Sequence, residues 1–193
     1  MSNETREKIL ATTSSLLERQ GYHATGLAQI VSESNTPRGS LYYYFPDGKE
    51  ELASEAVALR MRAMADFARR FLGEIDDPVE AVYAMIMDMA EKMSQQGCGT
   101  GAPIAAVALE ASNSSERIRK ACADGYQRLQ EVLAAKLVMG GFSAERAASL
   151  AMTINASIEG GMVLSRTKHD SDTLVSIADD MKFLLRSALQ ASG

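Results

Sequence analysis

The chain has 193 residues, enough to bury a sizeable hydrophobic core, and its composition is that of an ordinary globular protein. Its two cysteines and two histidines are scattered, so we expect neither a disulfide scaffold nor a metal site. No stretch approaches the roughly 18 uninterrupted apolar residues of a membrane span, and the N-terminus is polar. These features predict a soluble, cytoplasmic protein that does not enter a membrane.

Charge is distributed unevenly along the chain. Residues 1–72 carry nine basic and nine acidic side chains, whereas residues 73–193 hold the whole net charge of −5. Because the N-terminal part is not basic, its non-specific affinity for DNA should be modest. Any recognition of DNA by such a sequence would depend on a few well-placed contacts.

The N-terminal segment predicts two helices. The first carries its apolar face at Ile9, Thr13, Leu16 and Leu17. Gly21 ends that helix, since a left-handed conformation costs least at glycine. Thr25 is the predicted N-cap of a second helix over Leu27–Ser34.

A tight turn and a third short helix follow. We expect a positive φ at Asn35, with Thr36 as the next N-cap and Pro37 in the first helical position. Leu41 and Phe45 are four residues apart and should face inward. The outward side chains are then Arg38, Ser40, Tyr42 and Tyr43. Gly39 lets the backbone approach a base pair or phosphate closely, so the segment is interpreted as a DNA-reading helix-turn-helix.

The three consecutive tyrosines have two interpretations. A tyrosine run is commonly part of a core, but three adjacent residues of a helix cannot all point the same way. An exposed tyrosine beside arginine suits contacts with phosphates and base edges. We assign Tyr44 to the core, and Tyr42 and Tyr43 to DNA contact.

The remaining sequence predicts only further helices. A long helix runs from Gly48 to Leu72, and Asp77-Pro78 starts another. That second helix has a methionine-rich stripe including Met85, Met89 and Met93, which either lines an effector cavity or is ordinary core. Later helices are expected over residues 103–111, 113–139 and 143–166, with one more up to Leu189.

The last two helices suggest a subunit interface. The helix after Ser143 is rich in alanine, serine and glycine, which permit close helix packing. With the apolar residues of the final helix (Leu174, Ile177, Met181, Leu184, Leu185 and Leu189) it would form a symmetric four-helix dimer interface. Asn155 and Glu159, four residues apart on this helix, either orient an effector or bond across the dimer.

The residues of the N-terminal unit also carry a family resemblance. The segment Thr25–Leu52, with Gly39–Phe45 and Lys49–Leu52 inside it, resembles the DNA-binding domain of the TetR family of bacterial transcriptional repressors. Four further segments resemble the LmrA/YxaF-like branch of that family: Pro46-Asp47-Gly48, Gly97-Cys98, Ala102–Glu110 and Ile158–Met162.

The resemblance implies an all-α, homodimeric repressor in which a three-helix helix-turn-helix domain (residues 1–48) is joined by a long helix to a helical bundle. The bundle (residues 49–193) would bind a small, largely apolar effector and form the dimer, while the N-terminal domain binds a palindromic double-stranded operator. By position, the implied DNA contacts are Thr25, Thr36, Pro37, Arg38, Gly39, Ser40, Tyr42, Tyr43 and Lys49. The chain departs from the family pattern at Asn35 and Pro37, where glycine and a polar residue are common, so base reading shifts to Arg38 and Ser40.

As a mechanistic hypothesis, the effector shifts the helix from Lys49 to Leu72 and changes the separation of the two recognition helices from about one DNA turn, roughly 34 to 36 Å. One alternative is a thiol-sensing repressor that uses Cys98 or Cys122. The other is a helical ligand-binding protein or an enzyme. The sequence has no nucleophile–base pairing, no paired histidines and no phosphate-binding glycine loop, so we expect neither an enzyme nor a cofactor.

Overall fold

The computed structural model describes residues 3–96 and 103–190, and every regular element within those ranges is an α-helix. The helices are α1 (Asn3–Ala24), α2 (Leu27–Glu33), α3 (Arg38–Tyr44), α4 (Lys49–Gly73), α5 (Pro78–Gln96), α6 (Pro103–Ala111), α7 (Glu116–Met139), α8 (Ala144–Lys168) and α9 (Asp172–Gln190). The all-α fold class predicted from the sequence is confirmed.

Capping side chains set where several helices begin. Asp77 Oδ1 accepts the backbone N–H groups of Val79 at 2.8 Å and Glu80 at 3.1 Å, so α5 starts at Pro78, whose missing N–H costs nothing there. The Ser143 hydroxyl accepts a backbone N–H at the start of α8. Both starts agree with the sequence prediction.

Two other predicted caps are wrong. Gly26 is the N-cap of α2, because Thr25 Oγ1 donates instead to the carbonyl oxygen of Gly21 at 2.7 Å. Pro37 is the N-cap of α3, so Thr36 lies one residue before it. Each threonine hydroxyl bonds to a group that precedes the threonine in the chain, which leaves the helix start without a side-chain cap.

The chain forms two compact units. The first consists of residues 3–62 with residues 103–125, and the second of residues 63–96 with residues 126–190. Helices α4 and α7 contribute residues to both units. Helix α6 and the first turns of α7 therefore belong with the helix-turn-helix, from which they are far removed in sequence.

The core of the first unit forms where α1, α2 and α3 meet. The predicted apolar face of α1 is buried, at Ile9, Thr13, Leu16 and Leu17. Ile30 of α2 and Leu41 of α3 are also buried, as is Phe45, which follows α3. Gly21 has a φ of 77° and interrupts the regular helix near the end of α1, as its predicted left-handed conformation requires.

Ion pairs join α9 to the start of α5 in the second unit. The Arg186 guanidinium donates to Asp77 at 2.8 Å and to Glu80 at 2.9 Å, and Lys182 donates to Glu80 at 2.8 Å. These side chains are partly exposed, so each pair contributes little to the stability of the protein. Their main effect is to fix the register between the two helices.

Helices α8 and α9 pack closely at Gly161. A Cβ added at Gly161 would overlap the side chains of Ile177 and Leu174. Leu174, Met181 and Leu185, predicted to face a second subunit, are instead buried in the unit's own core. This part of the interface prediction is wrong because the helical spacing of α9 turns these residues toward α5 and α8.

A different face of α8 and α9 is exposed and apolar. It consists of Met152, Ala156, Gly160, Val163 and Leu164 of α8 with Phe183 and Leu184 of α9, and we call these residues the apolar face. By length and composition alone α8 is apolar enough to cross a membrane, with a mean hydropathy of 1.2 over 18 residues, of which 33% are buried. Core helices of soluble proteins pass the same test.

Candidate nucleic-acid interface

Helix α3 has one exposed side made of Arg38, Gly39, Tyr42 and Tyr43. Arg38 and Tyr42 are four positions apart, and Gly39 is three positions from Tyr42 and four from Tyr43. All four residues therefore lie on one face of the helix. Tyr43 is 65% exposed, and the Tyr43 ring meets the Tyr44 ring edge-on with centroids 5.0 Å apart. A Cβ at Gly39 would meet nothing within 4 Å, so the backbone is open to close approach.

The opposite side of α3 is anchored in the core. Leu41 and Phe45 are fully buried, as their spacing predicted. The Arg6 guanidinium lies 5.3 Å from the centroid of the Phe45 ring and forms an ion pair with Glu55. Arg6 therefore holds α1 against α4 and the recognition unit.

Two residues implied to contact DNA have buried side chains. Ser40 is 5% exposed, so the prediction that it faces outward is wrong. Thr25 is 1% exposed and bonds to the Gly21 carbonyl oxygen. Helix α3 has seven residues and contacts both α1 and α2. Because the two neighbours cover more of its surface than a single apolar stripe, Ser40 is buried as well.

The turn before α3 has the predicted geometry. Asn35 has a φ of 50°, a left-handed conformation that asparagine tolerates. The hydroxyl oxygens of Ser34 and Thr36 lie 2.8 Å apart, which closes the turn from both sides. Thr36 is half-buried, and Pro37 is exposed at the N-cap of α3.

Lys49 begins α4, and its ammonium group lies over the end of α1. The Lys49 Nζ is 4.3 Å from the centroid of the Tyr22 ring and 3.5 Å from the backbone oxygen of His23. Partial burial lowers the pKa of Lys49, and the carboxylate of Glu110 opposes that shift. Since an ammonium has three N–H groups, the bond to His23 leaves donors for a phosphate.

Glu110 of α6 was not singled out from the sequence as a site residue. Its Oε2 accepts the backbone N–H of His23 at 2.8 Å, and its carboxylate occupies the space beside Gly21 that a Cβ would fill. The bond joins residues 87 positions apart, so no local pattern in the sequence indicates it.

The start of α7 supports the turn before α4. Arg117 donates to Asp47 at 2.9 Å, and the Ser115 hydroxyl bonds to the carboxylate of Glu50. Within that turn, the Asp47 N–H bonds to Glu51 Oε2 at 2.9 Å. The junction that follows the recognition helix is therefore fixed by a segment far away in sequence.

Two family models match the chain. One, bacterial regulatory proteins of the tetR family, matches residues 9–56, and the other, the C-terminal domain of LmrA/YxaF-like transcriptional regulators, matches residues 78–180. The uncharacterized HTH-type transcriptional regulator YxaF of Bacillus subtilis (strain 168) is 42% identical over 183 residues, covering 95% of this chain and 96% of YxaF. The chain belongs to the LmrA/YxaF-like branch of the TetR family.

A second relative agrees with this assignment, and a solved structure shares the fold. The transcriptional regulator LmrA of Bacillus subtilis (strain 168) is 38% identical over 187 residues, covering 95% of this chain and 97% of LmrA. The crystal structure of reduced Escherichia coli NemR superposes with a TM-score of 0.82 at 22% identity and covers 92% of this chain and 95% of NemR. The family and branch indicated by the sequence are confirmed, and so is the fold of an N-terminal helix-turn-helix with a helical C-terminal domain.

The second unit of this TetR-family regulator contains the residues proposed from sequence for an effector. Met85 and Met93 are buried, and Met89 is partly buried. Asn155 is also buried, whereas Glu159 is partly buried. The three methionines therefore pack within the second unit, which is compatible both with an effector cavity and with an ordinary core.

Glu159 is a partly buried acid, one of whose carboxylate oxygens has no hydrogen-bond partner among the described residues. Its Oε2 is inaccessible and has no hydrogen-bond partner among the described residues. Burial raises the pKa of Glu159, and a hydrogen bond with Tyr126 opposes this shift. The raised pKa keeps the acid neutral to a higher pH than in an exposed glutamate, and the neutral acid can donate a hydrogen bond to a buried acceptor.

Replacing Glu159 by glutamine should stabilise the protein at pH 7, by an amount of order 1 kcal/mol, because burial disfavours the charged carboxylate and its Oε2 has no hydrogen-bond partner among the described residues. The folded-state pKa of Glu159 is raised above its unfolded value of about 4.5. Glu159 therefore does not lower the stability of the folded protein below about pH 4.5, where it is protonated in both states. As the pH rises toward the folded-state pKa, ionisation in the unfolded state lowers that stability. Urea unfolding of both proteins between pH 4 and 8 measures the difference. A stability difference that does not change with pH would contradict the assignment.

Among the described residues, Cys122 and the possible metal ligands offer no comparable site. Cys122 is buried, and burial raises the pKa of its thiol to about 11, so it is an unreactive thiol. Cys98, the other candidate sensor, lies outside the described residues. Within the described ranges, no three histidine, cysteine, aspartate or glutamate side chains are grouped to hold a metal ion.

Proposed function

We propose that the protein is a cytoplasmic repressor that binds a palindromic operator as a homodimer and is released by a small, largely apolar effector. One observation carries the DNA-binding part: the exposed side of α3 presents Arg38, Gly39, Tyr42 and Tyr43, while Leu41 and Phe45 anchor its other side. The DNA-binding region is residues 1–48 in this proposal, with effector binding and dimerisation in residues 49–193.

The four exposed residues of α3 have distinct roles in this proposal. Arg38 reads a guanine through its two-pronged guanidinium, and Gly39 lets the backbone approach the groove. Tyr42 and Tyr43 contact phosphate or base edges, and Lys49 contacts phosphate. Pro37 makes only van der Waals contact, and Thr36 lies at the edge of this surface.

Dimer formation is supported by the apolar face of α8 and α9. Large side chains remain exposed there, with Phe183 at 76% and Met152 at 59%. Exposed apolar patches of this kind mark interaction surfaces, and a two-fold axis through the face pairs each helix with the equivalent helix of a second copy. The occupant we propose is thus a second copy of the chain.

Release by an effector is supported by Glu159, the partly buried acid of the second unit. The proposed effector lies among Met85, Met89, Met93, Asn155 and Glu159, where the neutral Glu159 donates a hydrogen bond to an acceptor on an otherwise apolar molecule. Helix α4 has residues in both units, so a shift of α4 changes the spacing of the recognition helices. Such coupling requires the effector to bind the DNA-incompetent state more tightly.

Operator binding by single variants tests this function. Tyr43→Ala should weaken binding to all sequences by about 1 kcal/mol, because it loses a sequence-independent contact. Arg38→Ala should also relax discrimination at one base pair by about 1 to 3 kcal/mol. Fluorescence anisotropy would measure both, first with DNA just upstream of the protein's coding region and then with duplexes altered one base pair at a time.

Arg69→Ala is the matched control, since Arg69 is exposed on α4 in the second unit and pairs only with Asp66 among the bonds described. Its operator affinity should equal that of the wild type. Undiminished binding by both Arg38→Ala and Tyr43→Ala would refute the docking of α3.

The alternatives receive less support. A thiol switch at Cys122 is opposed by the burial and raised pKa of that thiol. The relatives named above are transcriptional regulators, which favours a regulator over an enzyme. No arrangement of the described residues favours a catalytic function over DNA binding.

A further inference from the structure

Glu110 connects α6 to the end of α1 through a specific fit. Its Oε2 accepts the His23 N–H at 2.8 Å. Its carboxylate also fills the space left by the missing side chain of Gly21, where any Cβ would overlap it. Gly21 has a φ of 77°, so a substitution there would be strained as well as obstructed. Glycine at position 21 thus leaves a space that fits the Glu110 carboxylate.

Tyr22 and His23, which follow Gly21 in the chain, contact the Lys49 ammonium. Tyr22 places its ring 4.3 Å below Lys49 Nζ, and His23 presents its carbonyl oxygen 3.5 Å away. His23 therefore bonds to Glu110 through its N–H and to Lys49 through its carbonyl. A shift of the α1 end would move both groups that orient Lys49.

We propose that Glu110 is a positioning residue for operator binding, which acts by fixing the end of α1 and so holding the Lys49 ammonium in place for a DNA phosphate. This inference deepens the proposed function and rests on it, because it assumes that Lys49 contacts the operator. Glu110 itself does not touch DNA in this scheme. Its charge is unfavourable near phosphates, so its contribution comes from the hydrogen bond and the fit.

The two contributions of Glu110 can be separated by substitution. Glu110→Gln keeps an oxygen that accepts the His23 N–H but removes the charge. Glu110→Ala removes both. Leu109→Ala is the matched control, because Leu109 is the neighbouring residue on α6 and is 83% exposed.

The experiment is a double-mutant cycle with Lys49→Ala, measured on a duplex selected from a random-sequence library by the wild-type protein. Glu110→Ala and Lys49→Ala should each weaken binding about 5-fold and lower the slope of log affinity against log salt by about 1.8, which is about 0.9 for each of the two Lys49–phosphate contacts that a dimer makes. Glu110→Ala, Lys49→Ala should bind no more weakly than Lys49→Ala alone. Glu110→Gln and Leu109→Ala should retain the wild-type slope and bind within about 2-fold of the wild type.

Two results would overturn the inference: a wild-type salt slope in Glu110→Ala, or a double variant weakened by the product of the single effects. A purely structural role would lower affinity in that additive way. If Glu110→Ala does not fold, Glu110→Asp replaces it, since its shorter side chain keeps the charge but does not reach His23. If the Glu110 variants bind the selected operator as tightly as the wild type does, this inference fails but the proposed function stands. If the wild type selects no operator from the library, the inference and the proposed function both fail.

Discussion

Gly160→Arg is expected to convert the proposed dimer into monomers and to weaken operator binding at least about 100-fold, since joining two half-site readers gains roughly 10²- to 10⁴-fold in affinity. Gly160 is exposed on the apolar face, and a Cβ added there meets nothing within 4 Å in the single chain. Arginine is also a better helix former than glycine. The substitution should therefore disturb only a neighbouring subunit.

The adjacent glycine supplies the control for this experiment. Gly161 faces into the unit, and a Cβ there overlaps Ile177 and Leu174. Gly161→Arg should thus lower the melting temperature of the protein, because its long side chain has no room beside the buried Leu174, whereas Gly160→Arg should not lower the stability of the monomer. Analytical ultracentrifugation measures the loss of the dimer in Gly160→Arg, and operator titration measures its weaker binding to DNA. A Gly160→Arg protein that remains dimeric would place the interface elsewhere.

Phe45→Ala is expected to lower the free energy of unfolding of the first unit by about 3 to 5 kcal/mol, the range for a buried phenylalanine. The ring is fully buried where α3 ends, beneath the Arg6 guanidinium. Typical domains are stable by only about 5 to 15 kcal/mol, so α3 would lose its fixed position and operator binding with it. Urea unfolding followed by circular dichroism measures the change.

Tyr43→Ala separates loss of DNA contact from loss of stability. Tyr43 is exposed on the same helix, so its removal should weaken DNA binding while changing the free energy of unfolding by less than about 0.5 kcal/mol. A Phe45→Ala protein destabilised by less than about 1 kcal/mol would show that the ring does not anchor α3.

Much of the fold could be predicted from the sequence, because helix periodicity and capping are local. The buried face of α1 at Ile9 and Leu16, and the starts of α5 at Pro78 and α8 after Ser143, agree with the structure. The membership of α6 in the first unit could not be predicted, because it depends on contacts between α1 and α6 far apart in the chain.

The candidate site was predicted less completely than the fold. Spacing placed Leu41 and Phe45 inside, and Tyr42 and Tyr43 outside. Ser40 was misplaced because periodicity describes one buried stripe, whereas α3 is enclosed on two sides. Glu110 was missed as a site residue because its partner His23 is 87 positions away.

The burial of Ser40 has a consequence for redirecting this regulator to new operators. Only Arg38, Gly39, Tyr42 and Tyr43 remain on the exposed side of α3, and none of them contributes to the buried core. A library randomised at these four positions is small enough for exhaustive screening and should keep the scaffold folded. Randomising Ser40 as well would spend most of that diversity on unfolded proteins, since few side chains fit its enclosed site.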